Sequence, residues 1–390
     1  KPEKINFIRS YVPVPKTDPE SVRQAAELIN GAKRPFILVG QGVELGGAQT
    51  EVRELIEKAD IPAGCTLLGL SALPSDHPLN MGMLGMHGSL ANSVKTQECD
   101  VLIAVGMRFD DRITGKLSTY ATQAKKIHFE IDPSEINKNV PVDVSLVGNC
   151  KETLAAVLAL VNKNEHTEWK NSFKEHLDKE NEVVIQPEIH PAEGPIKMGE
   201  VVRKVTEMTD NKAILVTDVG QNQMMAARYF KFTEKRSIVT SGGMGTMGFG
   251  LPAAVGATFG APGRMVCLFL GDGGMQMTLQ ELGTIMEQRS PVKIILLNNN
   301  YLGNVRQWQE MFFGKRYSFT PMMNPDYNMI ASAYNIPNET VVNREDLEGA
   351  IRKMITTEGP YLLQVAVIEE GKVLPMCCPG NDVDDMVLDY

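Results

Sequence analysis

The stretch VCLFLGDGGMQMTLQELGTIMEQRSPVKIILLNNN, Val266 to Asn300, decides the fold. Met265 to Leu270 is an apolar run closed by Gly271, the pattern of a buried strand. Lys293 to Leu297 repeats that pattern, and a helical stretch from about Gln276 to Gln288 lies between them. Strand, helix, strand at this length predicts a right-handed parallel unit. Both strands then end at one edge of a sheet, where ligands of doubly wound folds bind, so Asp272 and Asn299 become spatial neighbours.

That placement has chemical content. Gly271, Gly273 and Gly274 let a backbone approach a phosphate closely, and the following helix turns its N-terminal amides and positive dipole end toward the anion. Asp272 and Asn299 add two hard oxygens, which suits a magnesium ion that takes its other ligands from phosphate and water. A tight turn beside a buried asparagine has the same letters, and a GDG triplet alone does not choose between the two.

Outward from this unit, 390 residues with 43% hydrophobic content have room for two or three domains with real cores. Residues 1–161 alternate apolar strands (Pro35 to Val39, Val101 to Val105, Lys126 to Ile131) with helical patterns (Ser21 to Ile29, Ala48 to Ala59), an α/β domain. Residues 162–197 turn polar, with Trp169, Phe173 and Leu177 at helical spacing followed by Pro187, Pro191 and Pro195; this predicts a linker with a short helix laid on a surface. A second α/β domain follows in 198–390, its last twenty residues forming a tail. The expected architecture is two doubly wound parallel-sheet domains joined by a polar linker.

Composition excludes several classes. A net charge of −9 gives no electrostatic attraction to nucleic acid. No apolar run is long enough to cross a bilayer, and the opening KPEKINFIRS has the pattern of neither a signal nor a transit peptide, which predicts a soluble, cytoplasmic protein. Cys65, Cys99, Cys150, Cys267, Cys377 and Cys378 lack zinc-binding spacing, and the adjacent pair near the C-terminus has no neighbouring His or charge to activate it.

In the first domain Gly40 and Gly42 follow the strand PFILV, and Gly106 to Asp111 follow VLIAV, so glycines and polar groups collect at one sheet edge. Such an edge suits a dinucleotide; GQG without a full GxGxxG is equally a plain strand-to-helix turn.

GDG, an amphipathic helix and a closing NN resemble the diphosphate signature of thiamine diphosphate enzymes. DVGQNQMMAARY (Asp218 to Tyr229), SGGMGTMGFGLPAA (Ser241 to Ala254) and NVRQWQ (Asn304 to Gln309) are similar to the cofactor domain of the acetohydroxyacid (acetolactate) synthase family. GMHG (Gly85 to Gly88), RFDDRITG (Arg108 to Gly115) and HFEIDPSEINKN (His128 to Asn139) resemble its flavin-binding middle domain. The resemblance runs from about Ser21 to the VLPMCCPG segment, Val373 to Gly380.

This resemblance implies three sets of residues. For thiamine diphosphate they are Gly220, Gln221, Asn222, Gly245, Met247, Gly271, Asp272, Gly273, Gly274, Asn299, Tyr301 and Gly303, with Asp272, Asn299 and the main-chain carbonyl of Tyr301 on magnesium. For the reacting end they are Met247, which props the cofactor in a bent conformation, and Asn304, Val305 and Trp308. For FAD they are Gly40, Gln41, Gly42, Thr66, Leu67, Met86, His87, Arg108, Asp110, Arg112, Glu130 and Ile131, with Arg108 and Arg112 as forked donors to pyrophosphate or ribose. His87 by itself fits a satisfied, half-buried histidine as well as a flavin or substrate contact. At Trp308 the indole would favour 2-oxobutyrate over pyruvate as acceptor, a one-methylene choice worth roughly 1–3 kcal/mol. The chain departs from the family pattern at Asn149 (usually Asp), Asn222 (usually His), Gly274 (usually Ser) and Asn304 (usually Met).

The implied activity is decarboxylation of pyruvate and condensation with pyruvate or 2-oxobutyrate, early in branched-chain amino-acid synthesis, with FAD structural. A homo-oligomer and a small regulatory subunit are the implied partners. The family also needs an activating glutamate from a domain that precedes the flavin domain. No third α/β pattern precedes Ser21, so the chain is expected to be a fragment that is inactive alone. The rivals are another thiamine-dependent 2-oxo acid carboligase or decarboxylase, and a non-catalytic nucleotide-binding module.

Overall fold

The computed structural model describes residues 14–390; KPEKINFIRS lies outside them. The first sheet comprises β1 (Pro35–Val39), β2 (Ala63–Cys65), β3 (Asn80–Met83), β4 (Val101–Val105), β5 (Lys125–Glu130) and β6 (Val144–Val147). All its pairings are parallel, in the order β3-β2-β1-β4-β5-β6, which reverses direction between β1 and β4 as in a Rossmann-type domain. Every residue of β1 and β4 is buried, as covering both faces of a parallel sheet with helices demands.

The second sheet comprises β7 (Ile214–Thr217), β8 (Ile238–Val239), β9 (Val266–Gly271), β10 (Val292–Asn298), β11 (Asn338–Val341) and β12 (Tyr361–Ala366). It too is wholly parallel, in the order β11-β12-β10-β9-β7-β8, and reverses between β7 and β9. The fold is therefore two doubly wound α/β units, as the sequence implied. One contiguous core cluster joins them, running from Val39 and Val43 to Val202 and Leu215.

Three local expectations need correction. The helix expected from Gln276 begins at Asp272 and is broken: Asp272–Thr278, a tight turn at Leu279–Glu281, then Leu282–Gln288. The polar linker is largely helical (Thr167–Asn171, Lys174–Glu180, Asn181–Ile185, Gln186–Ile189) and is no mere surface spacer. Phe173 is fully buried in the first domain's core, and the Trp169 indole donates to the Pro35 carbonyl at 2.8 Å. The segment read as a tail returns to the first domain: the Cys377 amide donates to Met86 at 2.7 Å, Lys116 to Asn381 at 3.0 Å, and Thr119 Oγ1 to Asp382 at 2.7 Å. There it forms the hairpin β13 (Met376–Cys377) and β14 (Met386–Val387).

All the cysteines are free, and burial pushes Cys65, Cys99, Cys150 and Cys267 up to about 12, so these are inert thiols. Among the described residues no helix is long and apolar enough to cross a membrane.

Candidate active site

Register places the key pair. Leu297 on β10 stands opposite Gly271 on β9, so Asp272 and Asn299 emerge just beyond the same sheet edge. Both are buried, at 1% and 3% exposure, and both line a cleft of about 130 Å³ together with Gly220, Met247, Gly273 and Tyr301. Burial pushes the Asp272 carboxyl above its ordinary value, opposed by hydrogen bonds from Asn324 and the Gly273 amide.

The glycines here are required by close approach. A side chain on Gly273 would meet Leu302 at 2.9 Å and the Met247 methyl at 3.4 Å; on Gly274, the Asp218 carboxylate at 2.4 Å; on Gly303, Gln221 Oε1 at 2.1 Å. The Gly274 departure from serine thus comes with an aspartate packed against the bare backbone. Gly271, extended at φ −91° and ψ 167°, is the N-cap of the helix that opens with Asp272, so that helix's first amides face the cleft. Asn222 lines the cleft with Oδ1 buried and without a donor, a group that a bound molecule would complete.

Several groups that hold this site were not found from sequence. Asn324 Nδ2 donates to Asp272 Oδ2 at 2.8 Å and to Asn298 Oδ1 and Asn300 Oδ1, both at 3.2 Å. Tyr327 OH donates to the Asp272 carbonyl at 2.9 Å. Asp218, fully buried, accepts from the amides of Val219 (2.8 Å), Gly248 (3.1 Å) and Gly250 (2.8 Å), pinning the Met247 loop to the end of β7. The Gln221 side chain, expected to meet a diphosphate, is taken up by protein: Nε2 donates to Gln307 (3.0 Å) and Gly371 (2.7 Å), and Oε1 accepts from Asn299 (3.5 Å). Its contribution to a ligand is left to its backbone.

A larger cleft of about 560 Å³ adjoins this one between the two domains, sharing Val219, Gly220, Asn304 and Val305. It brings together Leu67, Met86, His87 and Arg112 of the first domain with Gly245, Asn304, Val305 and Trp308 of the second. Asn304 and Trp308 lie one turn apart on the helix Gly303–Phe312, and Trp308 packs on Phe312 with centroids 5.0 Å apart. His87 is 7% exposed; burial holds its imidazole down at about 4 even though Nδ1 lies 3.2 Å from the Pro375 carbonyl. It is a neutral wall at neutral pH, and among the described residues Arg112 is the sole Lys or Arg on the lining.

The remaining flavin candidates stand along the carboxyl edge of the first sheet. Register levels Val39 with Cys65 and Val105, and Val105 with Phe129, so Thr66, Gly40, Gly106 and Glu130 form one row. Gly40 and Gly42 press on the Gly106 loop, where a side chain on either would meet Gly106 at 2.3 or 2.6 Å; Gln41 begins the next helix. Thr66 Oγ1 caps a short turn through Gly69, and Asp110 caps the helix Asp111–Thr114. Arg108 reaches Asp110 at 3.4 Å with its side chain 55% exposed, and Ile131 is 46% exposed. Glu130 Oε1 accepts the amides of Ile131 (2.8 Å) and Asp132 (3.1 Å). The edge is populated by the expected residues, but it is open.

Two facing sheet edges, one carrying a buried carboxylate–amide pair over a glycine cradle, define a thiamine diphosphate type of enzyme. Family comparison agrees. Residues 22–157 match the thiamine pyrophosphate enzyme central domain, and 218–365 match the thiamine pyrophosphate enzyme C-terminal TPP-binding domain. The acetolactate synthase isozyme 2 large subunit of Escherichia coli (strain K12) is 41% identical over 367 residues, covering 94% of this chain and 66% of that protein. A probable acetolactate synthase large subunit of Methanococcus aeolicus is 40% identical, covering 99% and 66% respectively. The chloroplastic acetolactate synthase 1 of Oryza sativa subsp. japonica is 37% identical, covering 95% and 58%. The chain belongs to the acetolactate synthase large-subunit family of thiamine pyrophosphate enzymes, and it spans 58% to 66% of the length of these relatives.

Proposed function

We propose that this chain supplies the diphosphate- and metal-binding half of an acetolactate synthase active site. The observation that carries this reading is the convergence of Asp272 and Asn299, both buried, on a cleft floored by Gly273 and roofed by Met247. In it, Asp272, Asn299 and the Tyr301 carbonyl hold magnesium, and the amides at the start of the Asp272–Thr278 helix receive the diphosphate. When bound, thiamine diphosphate supplies the nucleophilic carbon and electron sink that decarboxylation of a 2-oxo acid requires.

The protein's own work is placement. Asn324 and Tyr327 fix Asp272, Asp218 fixes the Met247 loop, and Met247 stands over the cradle as a bulky apolar wedge. The interdomain cleft receives the substrate: Arg112 suits its carboxylate, neutral His87 and the apolar walls exclude water, and Trp308 with Asn304 shapes the acceptor end. FAD would be held along the first sheet's carboxyl edge by Gly40 to Gly42, Thr66, Arg108, Asp110, Glu130 and Ile131, with Met86 and His87 as further contacts. The net reaction converts two pyruvates to 2-acetolactate and carbon dioxide, or pyruvate and 2-oxobutyrate to the aceto-hydroxybutyrate homologue.

No glutamate lines either cleft among the described residues. The activating carboxylate is accordingly expected from somewhere other than the described walls of these two clefts, and the chain assayed alone is expected not to turn over. Exposed Met244 (91%), Phe319 (96%) and Met323 (98%) support association of copies, and the relatives' designation as large subunits supports a smaller regulatory partner.

The test is product analysis from pyruvate with thiamine diphosphate, magnesium and FAD. The chain is assayed alone and with the unmatched third of the E. coli relative supplied as a separate polypeptide. Acetolactate only on complementation is the expected result. Acetolactate from the chain alone would place the activating carboxylate within it; a different product would favour another 2-oxo acid carboligase.

A further inference from the structure

Behind the interdomain cleft, with which it shares Met83 and Ala227, lies a second cavity of about 220 Å³, walled by β3, the linker helix around Leu177 and the turn Tyr229 to Phe232. Arg203, Arg228 and Lys231 line it, and among the described residues Glu180 is the one acidic residue on its wall. Glu180 is already spent. Its Oε1 takes Arg228 Nη2 at 2.6 Å and its Oε2 takes the Leu90 amide at 2.6 Å.

Of the other two cations, one is without a partner and one is loosely paired. Among the described residues Lys231 makes no side-chain hydrogen bond and no ion pair. Arg203 donates to the Tyr229 carbonyl at 3.2 Å, and its carboxylate partner is Glu207, at 3.9 Å and itself 56% exposed. Burial lowers both side chains' affinity for the proton, and for Lys231 the adjacent Arg203 adds to it. Two donors on the same wall are orphaned as well. Arg228 is 4% exposed; it commits Nη1 to the carbonyls of His87 (2.6 Å) and Gly88 (3.1 Å) but leaves Nε buried without a partner. Ser89 is 7% exposed, and its Oγ has no partner. Half-buried cations without a close counter-charge, beside buried donors without partners, are costly unless something completes them. The opposite walls, Leu70, Met81 and Phe230, are apolar.

We propose that this cavity binds a small organic anion with a phosphate or carboxylate head, its charge held by Lys231 and Arg203, with Arg228 and Ser89 on the same wall. The apolar wall accommodates the body of the ligand. Because Arg228 also carries the His87 loop, occupancy tightens the contact between linker, first domain and second domain. The proposal is independent of how the thiamine site is read.

The test is calorimetric titration of the 390-residue chain at low ionic strength, with inorganic phosphate and with hexanoate as probes, repeated on Lys231→Met and Ser89→Ala. Saturable binding of at least one probe is expected, about ten-fold weaker in Lys231→Met and about three-fold weaker in Ser89→Ala. The better probe raises the melting temperature of the parent but not of Lys231→Met, which without anion melts higher than the parent. Phosphate preference assigns a phosphorylated ligand, and hexanoate preference a carboxylate with an apolar tail. No saturable binding by either probe, or equal affinity in parent and variants, overturns the proposal. Should Lys231→Met fail to fold, Lys231→Gln and Ser89→Ala decide by the same criteria.

Discussion

The two sheets have the same parallel architecture and each reverses direction once, yet their carboxyl edges are built differently. At the second sheet's edge the polar groups are buried and already bonded to one another: Asp218 to three amides, Asp272 to Asn324, Gln221 to Gln307. At the first sheet's edge Arg108 and Ile131 face solvent, and Glu130 bonds chiefly to the backbone that follows it. A buried, pre-bonded edge holds its geometry before any ligand arrives, which is what metal-assisted capture of a diphosphate demands. An open edge gains its order from the ligand. Changes at the first kind of edge should be expensive, and at the second kind cheap.

The largest effect is expected from Asp272→Ala. It takes magnesium-dependent thiamine diphosphate binding below detection in calorimetry while leaving the circular dichroism spectrum unchanged; retained metal-dependent binding would show that Asp272 holds no metal. Next comes the seam between the edges. Burial holds His87 at about 4 against an ordinary 6.5. Between those values the unfolded chain binds more protons, so this contribution is complete above about pH 6.5 and is lost as pH falls toward 4. The loss is on the order of 2–3 kcal/mol. In His87→Gln the urea midpoint should differ less between pH 7 and pH 4.5 than it does in the parent; an identical pH dependence would remove His87 as its cause.

Asn324→Ala tests whether the closed edge owes its precision to its supports. Losing a hydrogen bond to a buried carboxylate should weaken thiamine diphosphate binding about ten-fold, about 1.4 kcal/mol. No change would mean that Asp272 is held by its own backbone alone. Smallest is Arg108→Ala at the open edge, where stability should shift by less than about 0.5 kcal/mol. FAD affinity, followed by flavin fluorescence, should fall only a few-fold. A large loss of stability there would erase the contrast between the edges.

Much of this was legible because buried parallel strands announce themselves. Pro35–Val39 and Val101–Val105 coincide with β1 and β4, and the end of each fixes where ligand groups collect. The meeting of Asp272 and Asn299 was legible for the same reason, since two strand ends in a parallel unit share an edge. The apolar pattern puts the helix start at about Gln276, past Gly273 and Gly274, residues that weaken a helix. They lie in the helix because Leu302 and Asp218 pack against the backbone there, a tertiary demand with no local trace. Asn324 and Tyr327 escaped notice because they reach the site from a loop and a helix outside every quoted motif, and Gln307, inside NVRQWQ, because its bond to Gln221 crosses between helices and leaves no spaced signal. The linker misled through its composition: Trp169 and Phe173, among charged neighbours, are enough to seat it in the first domain's core.

The central claim is that this chain carries a preformed metal-dependent diphosphate site. The direct measurement is calorimetric titration of the 390-residue chain with thiamine diphosphate, with and without magnesium. The account predicts saturable one-to-one binding that requires the metal and disappears in Asp272→Ala. Binding of equal strength without magnesium, or none with it, would contradict the account.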